Sequence, residues 1–250
     1  WSTNFTFAAN KEKIVSLPGN KDLIASGLFM NQPIGTFFDY KYLGIWQENE
    51  AAEAAKYNAK PGGLKLATDG TFNPDGTHSY GANDKQILGS SVPDWTGGIQ
   101  NNFTYKNFDA SLFITARWGQ MISSNLITRY NPTTGTGNSP DDIDYWTPEN
   151  TGAYLPRPGL YSSTSGYIGF DALKYVNGSY VKIRNITLGY TLPERISNKV
   201  AMQKFRIYAT AGNPFIFTKS KLLKYQDPEV NGSDNFPLTK QFVFGLNVTF

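Results

Sequence analysis

Asp141, Asp142 and Asp144 lie together beside Tyr145-Trp146, and paired carboxylates next to aromatic rings are the groups that hydrolyse glycosidic bonds. That chemistry needs two carboxyl groups facing each other across a substrate at about 5–5.5 Å or 6.5–9.5 Å, a separation that neighbours on one loop do not provide. No catalytic residue is therefore assigned. His78 is the single histidine, which excludes a site built on two imidazoles, and its Gly/Ser/Tyr-rich surroundings predict a solvated side chain. The sequence has no cysteine, so thiolate nucleophiles, disulfides and Cys-bound zinc are all absent. Neither a metal nor a cofactor is expected.

The residues with binding chemistry continue along the same stretch as Tyr145, Trp146, Tyr154, Arg157 and Tyr161. Flat aromatic faces with Asp, Asn and Arg nearby can stack on and hydrogen-bond a glycan. The same residue types are enriched at protein interfaces, so packing, partner contact and ligand contact all remain open for this group. Four triplets, Asn4-Phe5-Thr6, Asn102-Phe103-Thr104, Asn185-Ile186-Thr187 and Asn247-Val248-Thr249, match the glycosylation pattern. A simpler origin is strand alternation, with Asn and Thr on a polar face and the middle residue on an apolar one.

The elements that must carry these residues are strands. Aromatic residues make up 15 % of the sequence, and the mean hydropathy is -0.39 with no apolar run near the ~18 residues of a spanning helix. A helical membrane protein is excluded, but a barrel is not, because barrel strands need only about 9–11 residues and half of those face a polar lumen. Alternation is clearest at Trp95 to Tyr105 and Phe108 to Trp118, joined by a tight Lys106-Asn107 turn. There Phe108, Ala110, Leu112, Ile114 and Ala116 form one face, and Asp109, Ser111, Thr115 and Arg117 the other. Similar patterns at Trp1 to Ala9, Phe38 to Trp46, Ile186 to Leu192, Phe205 to Ala211 and Phe242 to Phe250 bring the total to about seven strands.

Connections alternate between compact turns and the long segments Gln47 to Asp94, Gly119 to Ser179 and Thr218 to Lys240. Outer-membrane barrels segregate short periplasmic turns from long extracellular loops in this way. Ala-rich Glu50 to Tyr57 predicts a short helix in the first long loop. A net charge of +3 with scattered Lys and Arg lacks the footprint of a nucleic-acid binder. The opening Trp1-Ser2-Thr3 is neither an initiator Met nor a signal peptide, as expected of a mature or cut fragment. The fold class expected is all-β: an antiparallel transmembrane β-barrel segment, the C-terminal part of a larger plugged barrel, occupying all of residues 1–250.

Several phrases in order resemble the C-terminal region of the SusC/RagA family of TonB-dependent outer-membrane transporters. They are Gln32-Pro33-Ile34-Gly35 with Tyr40-Lys41-Tyr42-Leu43-Gly44-Ile45-Trp46, Ile87-Leu88-Gly89 before Val92-Pro93-Asp94-Trp95, and Tyr105-Lys106-Asn107-Phe108-Asp109. Then come Gly178-Ser179-Tyr180-Val181-Lys182-Ile183-Arg184-Asn185-Ile186-Thr187-Leu188-Gly189-Tyr190-Thr191-Leu192-Pro193, Asn213-Pro214-Phe215 and Asp227-Pro228-Glu229-Val230. The ending Phe242, Phe244, Leu246, Val248 and Phe250 resembles the signal read by the barrel-assembly machinery. The resemblance implies a barrel of about 22 strands closed by a plug, whose plug and earlier strands are not in this sequence. It also implies TonB-powered uptake of glycans or peptides from the outer membrane, and a SusD-like surface lipoprotein as a lid. Related transporters often have a calcium-loop-like acidic stretch where this chain has Thr71-Phe72-Asn73-Pro74-Asp75-Gly76. Here Thr71 replaces the first carboxylate, and a plain Asn/Asp/Gly turn is expected. A passive porin or adhesin barrel and a soluble carbohydrate-binding sandwich are the rival readings.

Overall fold

The computed structural model describes the chain apart from residues 130–142, 162–165, 198, 200 and 234–237. In chain order its strands are β1 (Ser2–Ala8), β2 (Thr36–Tyr40), β3 (Tyr42–Ile45), β4 (Leu64–Leu66), β5 (Lys85–Ser90), β6 (Trp95–Tyr105), β7 (Phe108–Trp118), β8 (Met121–Ser123), β9 (Tyr175–Asn177), β10 (Tyr180–Thr191), β11 (Lys204–Thr218) and β12 (Gln241–Thr249). Six of them form one antiparallel sheet in the order β1-β6-β7-β10-β11-β12, and the short ones pair as β2 with β5, β3 with β4 and β8 with β9. The sheet is not closed, since β1 and β12 each have a single partner.

Six of the seven expected strands stand in this sheet. The exception is Phe38 to Trp46, which divides between β2 and β3, with register shifts between Phe37 and Phe38 and between Tyr42 and Gly44. Its alternating aromatics belong to a packed core in the loops, where Ile45 and Trp46 are buried. β10 is also longer than its alternation shows. A bulge between Ile183 and Asn185 adds Arg184 to the strand, and one extra residue inverts the side-chain parity.

The register makes the sheet two-faced. Phe5, Ile99, Ile114, Ile183 and Phe215 stand side by side across five strands. On the other face Ser2, Asn102, Ser111, Thr187 and Thr210 form a polar row. Large apolar side chains on the first face are exposed, Phe244 by 83 %, whereas a soluble sheet buries such a face. Rings gather at both ends of that face. Trp1 stacks on Phe103 at 5.9 Å and Phe108 meets Tyr190 at 4.7 Å near one end, and Trp95 stacks on Phe7 and Trp118 at 5.9 and 6.1 Å near the other. From Tyr105 to Trp95 the strand rises roughly 34 Å. At a tilt of about 40° that spans roughly 26 Å, close to the ~25 Å apolar band of an outer-membrane barrel.

On the polar face Arg206 of β11 reaches across β10 to Asp109 of β7, with Nε to Oδ1 at 2.9 Å and Nη2 to Oδ2 at 2.5 Å. Gly189 lies beneath this ion pair, and a Cβ there would overlap both partners. A polar face that carries a cross-strand ion pair and an opposite face of exposed rings fit water on one side and lipid on the other. Ile114→Arg in the complete barrel should therefore cost about 2–4 kcal/mol in refolding into lipid vesicles, and Thr115→Arg far less. Equal costs at the two positions would contradict the assignment of faces.

Candidate functional site

The connections 9–94, 119–179 and 219–240 all leave the same end of the sheet, and among the described residues they hold nearly all the buried apolar ones. Their core is Ile45, Leu64, Leu66, Trp146, Ala153, Leu155, Tyr167, Phe170 and Leu173. A short helix, α1 (Ala51–Lys56), forms where the Ala-rich stretch predicts one, with Ala54 buried. The barrel wall thus lends its polar end to a separate packed layer built from loops.

The aromatic group divides between the inside and the surface of this layer. Trp146 is 0 % exposed, donates Nε1–H to Gln47 Oε1 at 2.9 Å and packs over Gly62, where a Cβ would press into its ring. Tyr154 donates its hydroxyl to the Leu173 carbonyl at 2.7 Å and meets Tyr42 edge-on at 5.0 Å. Burial pushes the Tyr154 hydroxyl pKa well above that of an ordinary phenol. Tyr161 is half-buried and edge-on to Tyr167 at 4.5 Å. Tyr145 and Arg157 are exposed at the surface. Asp144 accepts a hydrogen bond from Asn150 Nδ2 at 2.9 Å, while Asp141 and Asp142 lie outside the described residues.

His78 is not solvated as its polar neighbours predict; it is 3 % exposed. Tyr57, Phe72 and Tyr80 surround the imidazole with ring-centre distances of 5.6, 5.8 and 4.9 Å. A loop rich in aromatics buries its polar side chains once those rings collapse together, which local composition does not reveal. Asp69, His78 and Asp84 bring three potential metal-ligand atoms within 4.8 Å of one another, but most of their lone pairs and protons are already engaged. His78 Nδ1 is 2.5 Å from the Thr71 carbonyl, and Nε2 is 3.1 Å from Asp84. Asp84 also accepts from the backbone N–H groups of Asp69 and Gly81 at 2.9 and 2.7 Å. The stretch Thr71 to Gly76 is a turn, closed by Gly76 N–H to the Asn73 carbonyl at 2.9 Å.

Sequence reasoning missed the charged cluster where the third long loop meets the wall. Lys182, 1 % exposed, donates to Asp227 Oδ2 at 2.6 Å and to Glu229 Oε2 at 2.9 Å. Arg184, the residue in the bulge, grips both oxygens of Glu229 and donates Nε–H to Thr115 at 3.1 Å. Asp227 has a second task, since its Oδ1 accepts from the Glu229 N–H at 3.0 Å and caps the turn that begins at Pro228. Two cations and two carboxylates balance, as a buried charge requires. Gln226, bonded to Ser124, and Leu223, packed on Ile122 and Val176, fix the same loop to the second one. The available signal was two cations on alternate polar-face positions and an acidic pair in Asp227-Pro228-Glu229, which are separate phrases until the chain folds.

Burial alone would raise the Glu229 carboxyl pKa above its ordinary 4.5, but hydrogen bonds from Arg184 and Lys182 outweigh it and hold the pKa below that value. Its stabilising contribution is therefore fully present above pH 4.5 and is lost as pH falls through the depressed folded value. Protection of the amides between Gln226 and Asn231, measured against their intrinsic exchange rates at each pH, should fall on acidification below pH 4.5, ahead of the main sheet. Lys182→Met should expose the same segment at neutral pH at a cost of about 3–5 kcal/mol, the scale for removing one partner of a buried pair. Unchanged protection in both experiments would show that the cluster does not hold the loop.

No family model matches the chain. TonB-dependent receptor P3 of Formosa agariphila is 32% identical over 283 residues, covering 100% of this chain and 27% of the receptor. TonB-dependent receptor P26 of the same organism is 27% identical over 282 residues, with the same coverage of 100% and 27%. TonB-dependent receptor SusC of Bacteroides thetaiotaomicron is 29% identical over 186 residues, covering 71% of this chain and 17% of SusC. The chain thus spans 27% of the length of the first two relatives. Among solved structures, the RagAB peptide transporter matches with a TM-score of 0.72 and 24% identity, covering 99% of this chain and 27% of that one. The RagAB peptide importer in its 'open-open' state matches with a TM-score of 0.70 and 23% identity, covering 99% and 26%. At such identities these structures establish the shared fold, and the end-to-end alignment with the receptors supplies the kinship: this chain is part of a SusC/RagA-like TonB-dependent receptor.

Proposed function

We propose that the protein carrying this chain imports glycans or peptides across the outer membrane of a Gram-negative cell. Residues 1–250 supply the C-terminal part of the barrel wall. The observation that carries this reading is the end-to-end alignment of the chain with TonB-dependent receptors, joined to a sheet with one polar and one apolar face, as a wall between water and lipid requires. On this reading the chain has no catalytic role. A plug and a TonB-contacting segment belong to other parts of the same polypeptide, and TonB supplies the energy. The packed loop layer is the natural seat for a SusD-like surface lipoprotein. Tyr145 and Arg157, exposed on that layer, would touch the lid or the solute, with Tyr161 beside them and Trp146 and Tyr154 holding the loops that present them.

Deleting the gene should abolish cellular uptake of a labelled oligopeptide or of a labelled malto-oligosaccharide, and a protonophore should abolish it equally. Uptake that persists with the protonophore would indicate a passive barrel instead. The ending Phe242, Phe244, Leu246, Val248 and Phe250 is the proposed barrel-assembly signal. Phe250 is largely exposed, so it adds only part of the about 1.5–3 kcal/mol of a fully buried Phe. Deleting it should lower the amount of protein in the outer membrane while leaving the melting temperature of the purified remainder close to wild type. Unchanged abundance would remove the sorting role.

A further inference from the structure

Arg117 of β7 lies on the polar face near the loop end of the sheet, opposite Thr96 of β6 and Tyr180 of β10. Together with Thr115 and Arg184 these residues line a concavity of about 320 Å³. The neighbouring cations are matched, Lys182 by Asp227 and Glu229 and Arg184 by Glu229. Arg117 is not: among the described residues its one side-chain hydrogen bond runs from Nη2 to the Ser91 carbonyl at 3.2 Å, and its Nε–H is buried without an acceptor.

A buried donor on a permanent cation is costly to leave unpaired. The Nε and Nη groups of arginine form a planar fork whose geometry matches the two oxygens of a carboxylate. The Ser91 bond orients that fork, and Thr96 and Tyr180, its cross-strand neighbours in the same concavity, carry hydroxyls able to donate as well. We infer that Arg117, flanked by Thr96 and Tyr180, is a binding site for one carboxylate group at the rim of the lumen. The carboxylate belongs either to an acidic solute, which rests on the import function proposed above, or to another part of the receptor, whose relatives extend far beyond the stretch matched here.

Thermal unfolding of the full-length receptor in detergent separates the two sources and does not depend on transport, so its outcome is independent of the import reading. Sodium acetate is exchanged for sodium chloride at constant ionic strength, with wild type, Arg117→Gln and Arg117→Lys compared. If the site is open to solutes, acetate raises the melting temperature of wild type and not of Arg117→Gln. Arg117→Lys, which keeps the charge without the fork, then needs roughly tenfold more acetate for the same shift, the scale of one charge-assisted hydrogen bond. If a carboxylate of the receptor fills the site, acetate has no effect, both variants melt below wild type, and Arg117→Lys, which keeps the charge, loses less than Arg117→Gln. The inference is overturned if acetate stabilises all three proteins equally. It is also overturned if acetate has no effect and the variants melt like wild type, or if Arg117→Lys and Arg117→Gln lose equally.

Discussion

A strand that crosses hydrocarbon must satisfy its backbone through neighbouring strands, because no water is there to do it. It must also turn alternate side chains toward two different solvents. Both demands fall on one sheet in this chain, and the sheet has little apolar interior of its own as a result. Phe5, Ile99, Ile114, Ile183 and Phe215 share a face and remain open to the surroundings. The opposite face spends its polar groups on cross-strand contacts such as Arg206 to Asp109.

The packed core lies elsewhere for the same reason. Segments at the loop end meet water and can bury side chains in the ordinary way, so Trp146, Leu173, Leu66 and Tyr167 collect there. Two structural regimes thus coexist in a single chain, a wall stabilised by strand pairing and lipid, and a loop layer stabilised by hydrophobic packing. They are joined at Lys182 and Arg184, which belong to the wall but pair with Asp227 and Glu229 of the third loop. The bulge at Arg184 serves that junction by turning both Arg184 and Asn185 to the polar side at one point of the strand. A surface that must present a partner or solute with fixed geometry gains from such an anchor, since unsupported loops pay conformational entropy whenever they order.

Much of the wall was legible in the amino-acid sequence, because strand alternation is a local property. Trp95 to Trp118 reads as a hairpin with a two-residue turn, and the pairing of Tyr105 with Phe108 fulfils it. The separation of long from short connections gave the placement of the loop layer, and the ordered phrases gave the kinship. The loop layer was not legible. Trp146 and Tyr154 have the residue types of a ligand platform, yet whether they face solvent or a core depends on segments about a hundred positions away, such as Gln47 and Tyr42. His78 is a polar residue among polar neighbours whose burial arises from the three rings that fold around it. Ion pairs between positions 182 and 229, and the unpaired donor of Arg117, follow from register and loop return, which are decided by tertiary packing because no local periodicity encodes a contact between distant segments.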